Sequence, residues 1–246
     1  MFRDDFDGGE LDRSVWLPHY LPAWSSKAAT EAVYSIQESN LELTIPHAHL
    51  LWCADEHTDP LRVSGVQSGN FSGPVGSTIG QQRFRDGLLV REDQERFEGW
   101  LPSSGRVAIR CRMSLSARSM GAMWLAGFEE HPEEGGELCV VEVFGRSIES
   151  GSAEVGVGAK QVHDPRLTHD FVAPRLAIDV TEHHTYAVEW DDARAVFSVD
   201  GVQVHDCADP PTYPMQVMLA VFDFPDWSGD VGHVPSLTVD WVEGSD

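Results

Sequence analysis

The feature that most constrains this chain is the spacing of its apolar residues, which recur at every second position. Leu41, Leu43 and Ile45 alternate with Glu42 and Thr44, and Val107, Ile109, Cys111 and Met113 alternate with Ala108, Arg110 and Arg112. Tyr186, Val188 and Trp190 repeat the pattern, and Leu237, Val239 and Trp241 close the chain with it. A period of two sends successive side chains to opposite faces, so these segments read as half-buried strands rather than helices. Val196 to Val204 reads as strand, Asp200-Gly201 turn and strand, because Asp-Gly accepts the positive φ angles of a two-residue hairpin. Helical windows are few; Ser25 to Val33 is either a short helix or a loop. With 22 Gly and 14 Pro dispersed among short strands, the pattern predicts an all-β, antiparallel β-sandwich. No linker, repeat or low-complexity tract divides residues 1–246, so one domain is expected. Pro46 to Trp100 is the least regular stretch, and long loops on a rigid sandwich are where binding sites usually sit.

Charge narrows the partners. Lys and Arg number 17 against 40 Asp and Glu, a formal net charge of -23. No basic stripe is present to neutralise phosphates, which argues against nucleic acid and against anionic membrane surfaces. The same balance would repel a sulfated or uronic polymer, so the whole-chain charge points to a neutral ligand. The longest nearly apolar run, Met215 to Phe222, is too short to span a membrane. The first residues show no basic segment followed by an apolar run, so no signal peptide is visible, and the compartment is left unassigned. Cys53, Cys111, Cys139 and Cys207 form no C-x-x-C pair, which excludes zinc ribbons and dithiol redox motifs; one disulfide remains open. P-loop, dinucleotide, zincin and nucleophile-elbow signatures are all missing.

The informative segment is Gly135-Gly136-Glu137-Leu138-Cys139-Val140-Val141-Glu142-Val143-Phe144-Gly145. In a regular strand Glu137 and Glu142 would face opposite sides, because their offset is odd. A β-bulge at Val140-Val141 absorbs the extra residue and returns Glu142 to the face of Glu137 and Cys139. Two carboxylates so placed would stand roughly 5–6 Å apart, the separation used in retaining glycoside hydrolysis. Without the bulge they are two glutamates on opposite faces of a strand.

Glu137-Leu-Cys-Val-Val-Glu142 resembles the E-x-D-x-x-E signature of glycoside hydrolase family 16, the laminarinase and lichenase group. Phe2-Arg-Asp-Asp-Phe-Asp-Gly with Leu11-Asp-Arg-Ser-Val-Trp16 is similar to the family's opening. Ser104 to Arg110, Ala122-Met-Trp-Leu-Ala-Gly127, and His184 to Trp190 followed by Val199-Asp-Gly-Val202 resemble its later strands in order and spacing. The resemblance implies a concanavalin A-like β-jelly-roll with a cleft across its concave sheet. It implies Glu137 as nucleophile and Glu142 as acid/base, with the Glu142 pKa raised by burial and by Glu137. The substrate it implies is a neutral polysaccharide or oligosaccharide, with β-1,3-linked glucan first and β-galactan open. Members are usually exported.

Two positions depart from the family pattern: Cys139 stands where the central Asp belongs, and Met120 where a cleft Trp is common. A thiol is a weak hydrogen-bond partner and, when neutral, supplies no charge. A catalytically weak carbohydrate-binding protein on the same fold is therefore the competing expectation. Trp124 and Trp100 are expected in the substrate cleft with Met120, and Trp24, Trp52 and Trp227 as a group. His163 resembles a position where a histidine supports the acid/base. No cofactor is required, though the resemblance implies a structural calcium at Asp240, with backbone oxygens near Asp5. His47, His49, Cys53 and His57 match no standard zinc spacing. A monomer is expected.

Overall fold

In the computed structural model, which describes residues 1–245, the alternating segments are strands with one face in the core. Val107, Ile109, Cys111 and Met113 are all buried along the Gly105–Ser114 strand, and Arg112 on the other face is exposed. The Asp200-Gly201 turn joins the Arg194–Val199 and Val202–Ala208 strands, with φ of 48° and 76°, the two positive values that such a turn requires. Ser25 to Val33 resolves into a four-residue helix, Lys27–Thr30, capped by Ser26, whose Oγ accepts from the Ala29 N–H at 3.1 Å.

Two antiparallel sheets pack face to face as a jelly-roll sandwich. One sheet runs from edge to edge as Val202–Ala208, Arg194–Val199, His184–Trp190, Gly105–Ser114, Ser236–Ser245, Asn40–Thr44 and Val33–Gln37, with Phe2–Asp4 also pairing to Ser236–Ser245. The other runs Asp170–Val172, Gly156–Lys160, Glu137–Phe144, Ser119–Gly127, Met215–Asp223 and Arg62–Gln67. Their facing sides form the main core, in which Leu41, Ile109, Leu138, Val188 and Val217 are fully buried.

The second sheet is covered on its outer face too. Every residue of Ser119–Gly127 and Met215–Asp223 is buried, in keeping with their largely apolar runs, since both faces of each strand are closed. Leu21, Trp24, Trp52, Leu88 and Val90, from the irregular segments, pack on Met120, Ala122, Met218 and Ala220 in a second apolar cluster. Those loops wall the cleft. All four cysteines are free and buried, so the disulfide left open by the sequence does not form. Among the described residues no helix is long and apolar enough to cross a membrane.

Candidate active site

The outer face of the second sheet carries a cavity of about 460 Å³, and the Glu137–Phe144 strand forms part of its floor. The bulge expected at Val140-Val141 is present. On one side Met123 pairs with Val141 and Trp124 with Cys139, leaving Val140 extra. On the other, Gly156 pairs with Glu142 and Gly158 with Cys139, so Val157 alone opposes both valines. The two valines turn into the core together, and Glu137, Cys139, Glu142 and Phe144 all line the cavity. One inserted residue therefore puts both carboxylates on one surface.

The neighbouring strand shapes the space around Glu142. A Cβ on Gly156 would lie 2.6 Å from the Phe171 ring and 3.1 Å from the Glu142 Cβ, so only glycine leaves both groups their room. Two pleats further on, Lys160 lies opposite Glu137 in register. Its Nζ donates to Glu142 Oε2 at 3.0 Å and sits 4.5 Å from the Phe171 ring centroid. An ion pair and a cation–π contact thus hold the ammonium between the carboxylates and an aromatic face. Burial alone would disfavour that charge, but the surrounding acidic groups outweigh it and the Lys160 pKa is raised.

Burial pushes the Glu137 carboxyl up to about 7; Lys160 opposes that shift and Glu142 adds to it. Glu142 accepts the Lys160 hydrogen bond through Oε2. The Cys139 thiol is pushed well above its ordinary range by burial and then by Glu142. It is neutral and makes only a long contact, 3.7 Å from Sγ to the Gly156 carbonyl.

Trp124 and Met120 line the cavity as expected, and so do Trp52 and Trp227. Tyr20 and Phe222 meet the Trp124 ring at centroid distances of 6.3 and 6.0 Å, fixing its tilt beside the Glu137–Phe144 strand. Trp227 is stacked between partners, with the Phe224 ring at 4.1 Å and the Arg146 guanidinium 4.1 Å from its centroid.

Trp100 is elsewhere. It stacks on Phe2 at 4.0 Å and covers Gly244 on the opposite sheet, because the chain turns away from the cleft after Phe97–Glu98. Trp24 is fully buried, and its Nε1 donates to the Gln81 carbonyl at 2.6 Å.

Among the described residues His163 makes no hydrogen bond to Glu142, the residue that the resemblance casts as acid/base. Its Nε2 lies 2.6 Å from the Arg83 carbonyl oxygen, so it ties the Gln82–Phe84 wall of the cleft to the segment after Lys160. Asp240, the side chain that the resemblance places at a calcium, pairs with the Arg110 guanidinium. Among the described residues no group of three or more His, Cys, Asp or Glu side chains gathers to hold a metal. His49 and His57 meet backbone carbonyls instead.

Lys160 is the site residue that sequence reasoning missed. Its signal was present: one of two lysines in the chain, closing the apolar strand Gly156-Val-Gly-Ala-Lys160. Tyr20, Gln82, Arg83 and Phe84 also enter the site from distant loops with no motif to mark them.

A model of glycosyl hydrolases family 16 matches residues 102–243, more than half of the chain. The chain belongs to glycoside hydrolase family 16. No curated protein matches its sequence. Among solved structures, a GlcNAcα1-4Gal-releasing endo-β-galactosidase from Clostridium perfringens is similar at 21% identity and a TM-score of 0.80, over 99% of this chain and 62% of that one. The present chain thus spans less than two thirds of that neighbour. The laminarinase catalytic domain from Thermotoga maritima is similar at 14% identity and a TM-score of 0.67, over 99% and 96% of the two chains. The endo-β-1,3-glucanase of Pyrococcus furiosus is similar at 14% and 0.65, over 98% and 92%. What these structures share with this family 16 chain at such identities is the fold.

Proposed function

We propose that this family 16 protein is a retaining endo-glycosidase that cleaves an internal β-linkage of a hexopyranosyl chain. The observation that carries the reading is the bulged strand, which brings Glu137 and Glu142 onto one cavity surface beside the Trp124 ring. An indole face is a platform for the apolar face of a pyranose. In the first step Glu137, as the carboxylate, attacks the anomeric carbon while Glu142, released by Lys160 and protonated from solvent, gives that proton to the departing glycosidic oxygen. The C–O bond breaks and a glycosyl ester forms on Glu137. In the second step Glu142 takes a proton from water, the hydroxide attacks the anomeric carbon, and Glu137 leaves as carboxylate. Two displacements retain the anomeric configuration.

The sequence resemblance favours β-1,3-glucan, as do the activities of the laminarinase and endo-β-1,3-glucanase neighbours. The higher TM-score of the endo-β-galactosidase brings β-galactosides level with it. The first experiment is therefore reducing-end release from laminarin, lichenan and β-galactan oligosaccharides, with the product anomer read by proton NMR. Glu137→Gln is expected to lower turnover at least about a thousandfold while leaving oligosaccharide binding in place. Turnover by that variant at the wild-type rate would remove Glu137 from the nucleophile role.

A second reading, binding without turnover, has its own observation. Cys139 supplies no carboxylate, and Lys160 occupies the Glu142 oxygen in the free protein. Tight oligosaccharide binding with no reducing ends released would establish it.

A further inference from the structure

The cleft does not share the charge of the chain. Acidic residues outnumber basic ones by 40 to 17 overall, yet the cavity is lined by two of each: Glu137 and Glu142 against Lys160 and Arg83. Most cationic side chains lie against carboxylates; among the described residues Arg83 makes no ion pair. A third cation, Arg146, is exposed at the rim over Trp227 and is also without an ion pair.

Beside these cations the lining holds uncharged polar side chains, Tyr20, His57 and Gln82 among them. Gln82 is the one side-chain amide in the lining. Its Nε2 already donates to the Gly135 carbonyl at 3.2 Å and to Glu129 at 3.3 Å. A site built for a neutral chain uses amides and carboxylates free to meet hydroxyls. This one offers cations.

We propose that Lys160, aided by Arg83, selects a glycan bearing an anionic substituent, a sulfate ester or a carboxylate, on the sugar nearest the two catalytic glutamates. The inference rests on the reading of this cleft as a glycan site and names its substrate class. In the free protein the Lys160 ammonium is parked on Glu142 Oε2, and the Phe171 ring keeps Nζ in place. An incoming sulfate or carboxylate offers Nζ an equivalent charge-assisted partner. The exchange leaves Glu142 Oε2 free to carry the proton that the departing glycosidic oxygen needs. A neutral sugar offers Nζ only uncharged hydroxyl acceptors, so it displaces the ion pair less readily. One lysine would then couple recognition to the availability of the acid.

The test is binding measured by calorimetry on the wild-type protein, which needs no turnover. The probes are oligosaccharides of a sulfated β-galactan beside their desulfated forms, and a uronate-bearing β-glycan oligosaccharide beside its carboxyl-reduced form. The expected result is tighter binding of the charged member of at least one pair by about tenfold or more, shrinking as salt is raised. Preference in the sulfate pair alone names the ester, and in the uronate pair alone the carboxylate. Lys160→Gln should abolish the preference, Lys160→Arg should keep it, and Arg83→Gln should reduce it. Should Lys160→Gln fail to fold, the wild-type pairs and Arg83→Gln still decide. Equal binding within both pairs, no binding of any probe, or a preference unchanged in the Gln variants overturns the proposal. Absence of hydrolysis would defeat the enzymatic reading without touching this one, because binding is read directly.

Discussion

At the scale of single residues, the site turns on Cys139, which stands where the family pattern has an aspartate, and on Lys160 beside it. Cys139 is a buried neutral thiol between two carboxylates, and Lys160 brings a positive charge to the same spot. An aspartate at 139 would lie diagonal to Lys160, next to its cross-strand partner Glu137, and give its ammonium a further carboxylate, loosening the hold on Glu142. Cys139→Asp is accordingly expected to raise kcat by about tenfold on a true substrate, read by steady-state kinetics. A sharp fall would show a site retuned around the thiol. Trp124 acts at the same scale through stacking alone. Trp124→Ala is expected to raise KM by about tenfold with a smaller change in kcat, since an aromatic contact of this kind contributes about 0.5–1.5 kcal/mol beyond its buried area. An unchanged KM would leave the ring as packing for Tyr20 and Phe222.

The strand is the element that makes chemistry out of these residues. Val140 and Val141 both enter the core, so the strand shifts phase once and presents Glu137, Cys139, Glu142 and Phe144 outward. Deleting Val140 would restore a strict period of two and still leave Glu142 on the cleft face. That variant is expected to fold, with its circular dichroism preserved, and to lose activity because the carboxylates are re-aimed. Inserting one residue between Val140 and Val141 makes the offset from Glu137 even as well, so Glu142 would stay on the cleft face, one pleat further from Glu137. Gly156 belongs to the same element pair. Any side chain there meets Phe171 and Glu142, so Gly156→Val should disturb the Lys160 contact with both.

Across the whole molecule the sandwich supplies a rigid floor, and the irregular segments supply walls that bury the carboxyls. That burial has a signature in stability. Glu137 and Glu129 are both raised to about 7 from an ordinary 4.5, each chiefly by burial. A carboxyl that holds its proton more tightly when folded contributes fully below its unfolded pKa, and the contribution is lost as pH rises through the folded value. Melting temperature is therefore expected to fall between about pH 5 and pH 8. The fall should be shallower in Glu137→Gln, which cannot titrate. Parallel curves for the two proteins would show that Glu137 ionises as freely in the fold as in water. Glu129 ties the same property to the cleft wall, since its carboxylate accepts from the Gln82 N–H at 2.5 Å.

What the sequence alone determined follows from short-range periodicity. The alternation at 107–113 and 186–190, the Asp200-Gly201 turn and the odd offset from Glu137 to Glu142 are local patterns, and local geometry dictates their outcome. The site partners come from segments far apart in the chain, and no periodicity reports them. Lys160 meets Glu142 because Gly156–Lys160 lies beside Glu137–Phe144 in one register. His163 binds the Arg83 carbonyl, and Trp100 covers Gly244, because of how the loops pack over the two sheets. Which tryptophan faces a sugar, which carboxyl is buried and which cation stands beside it are decided by cross-strand pairing and loop coverage, and these exist only once the sheets have closed on each other.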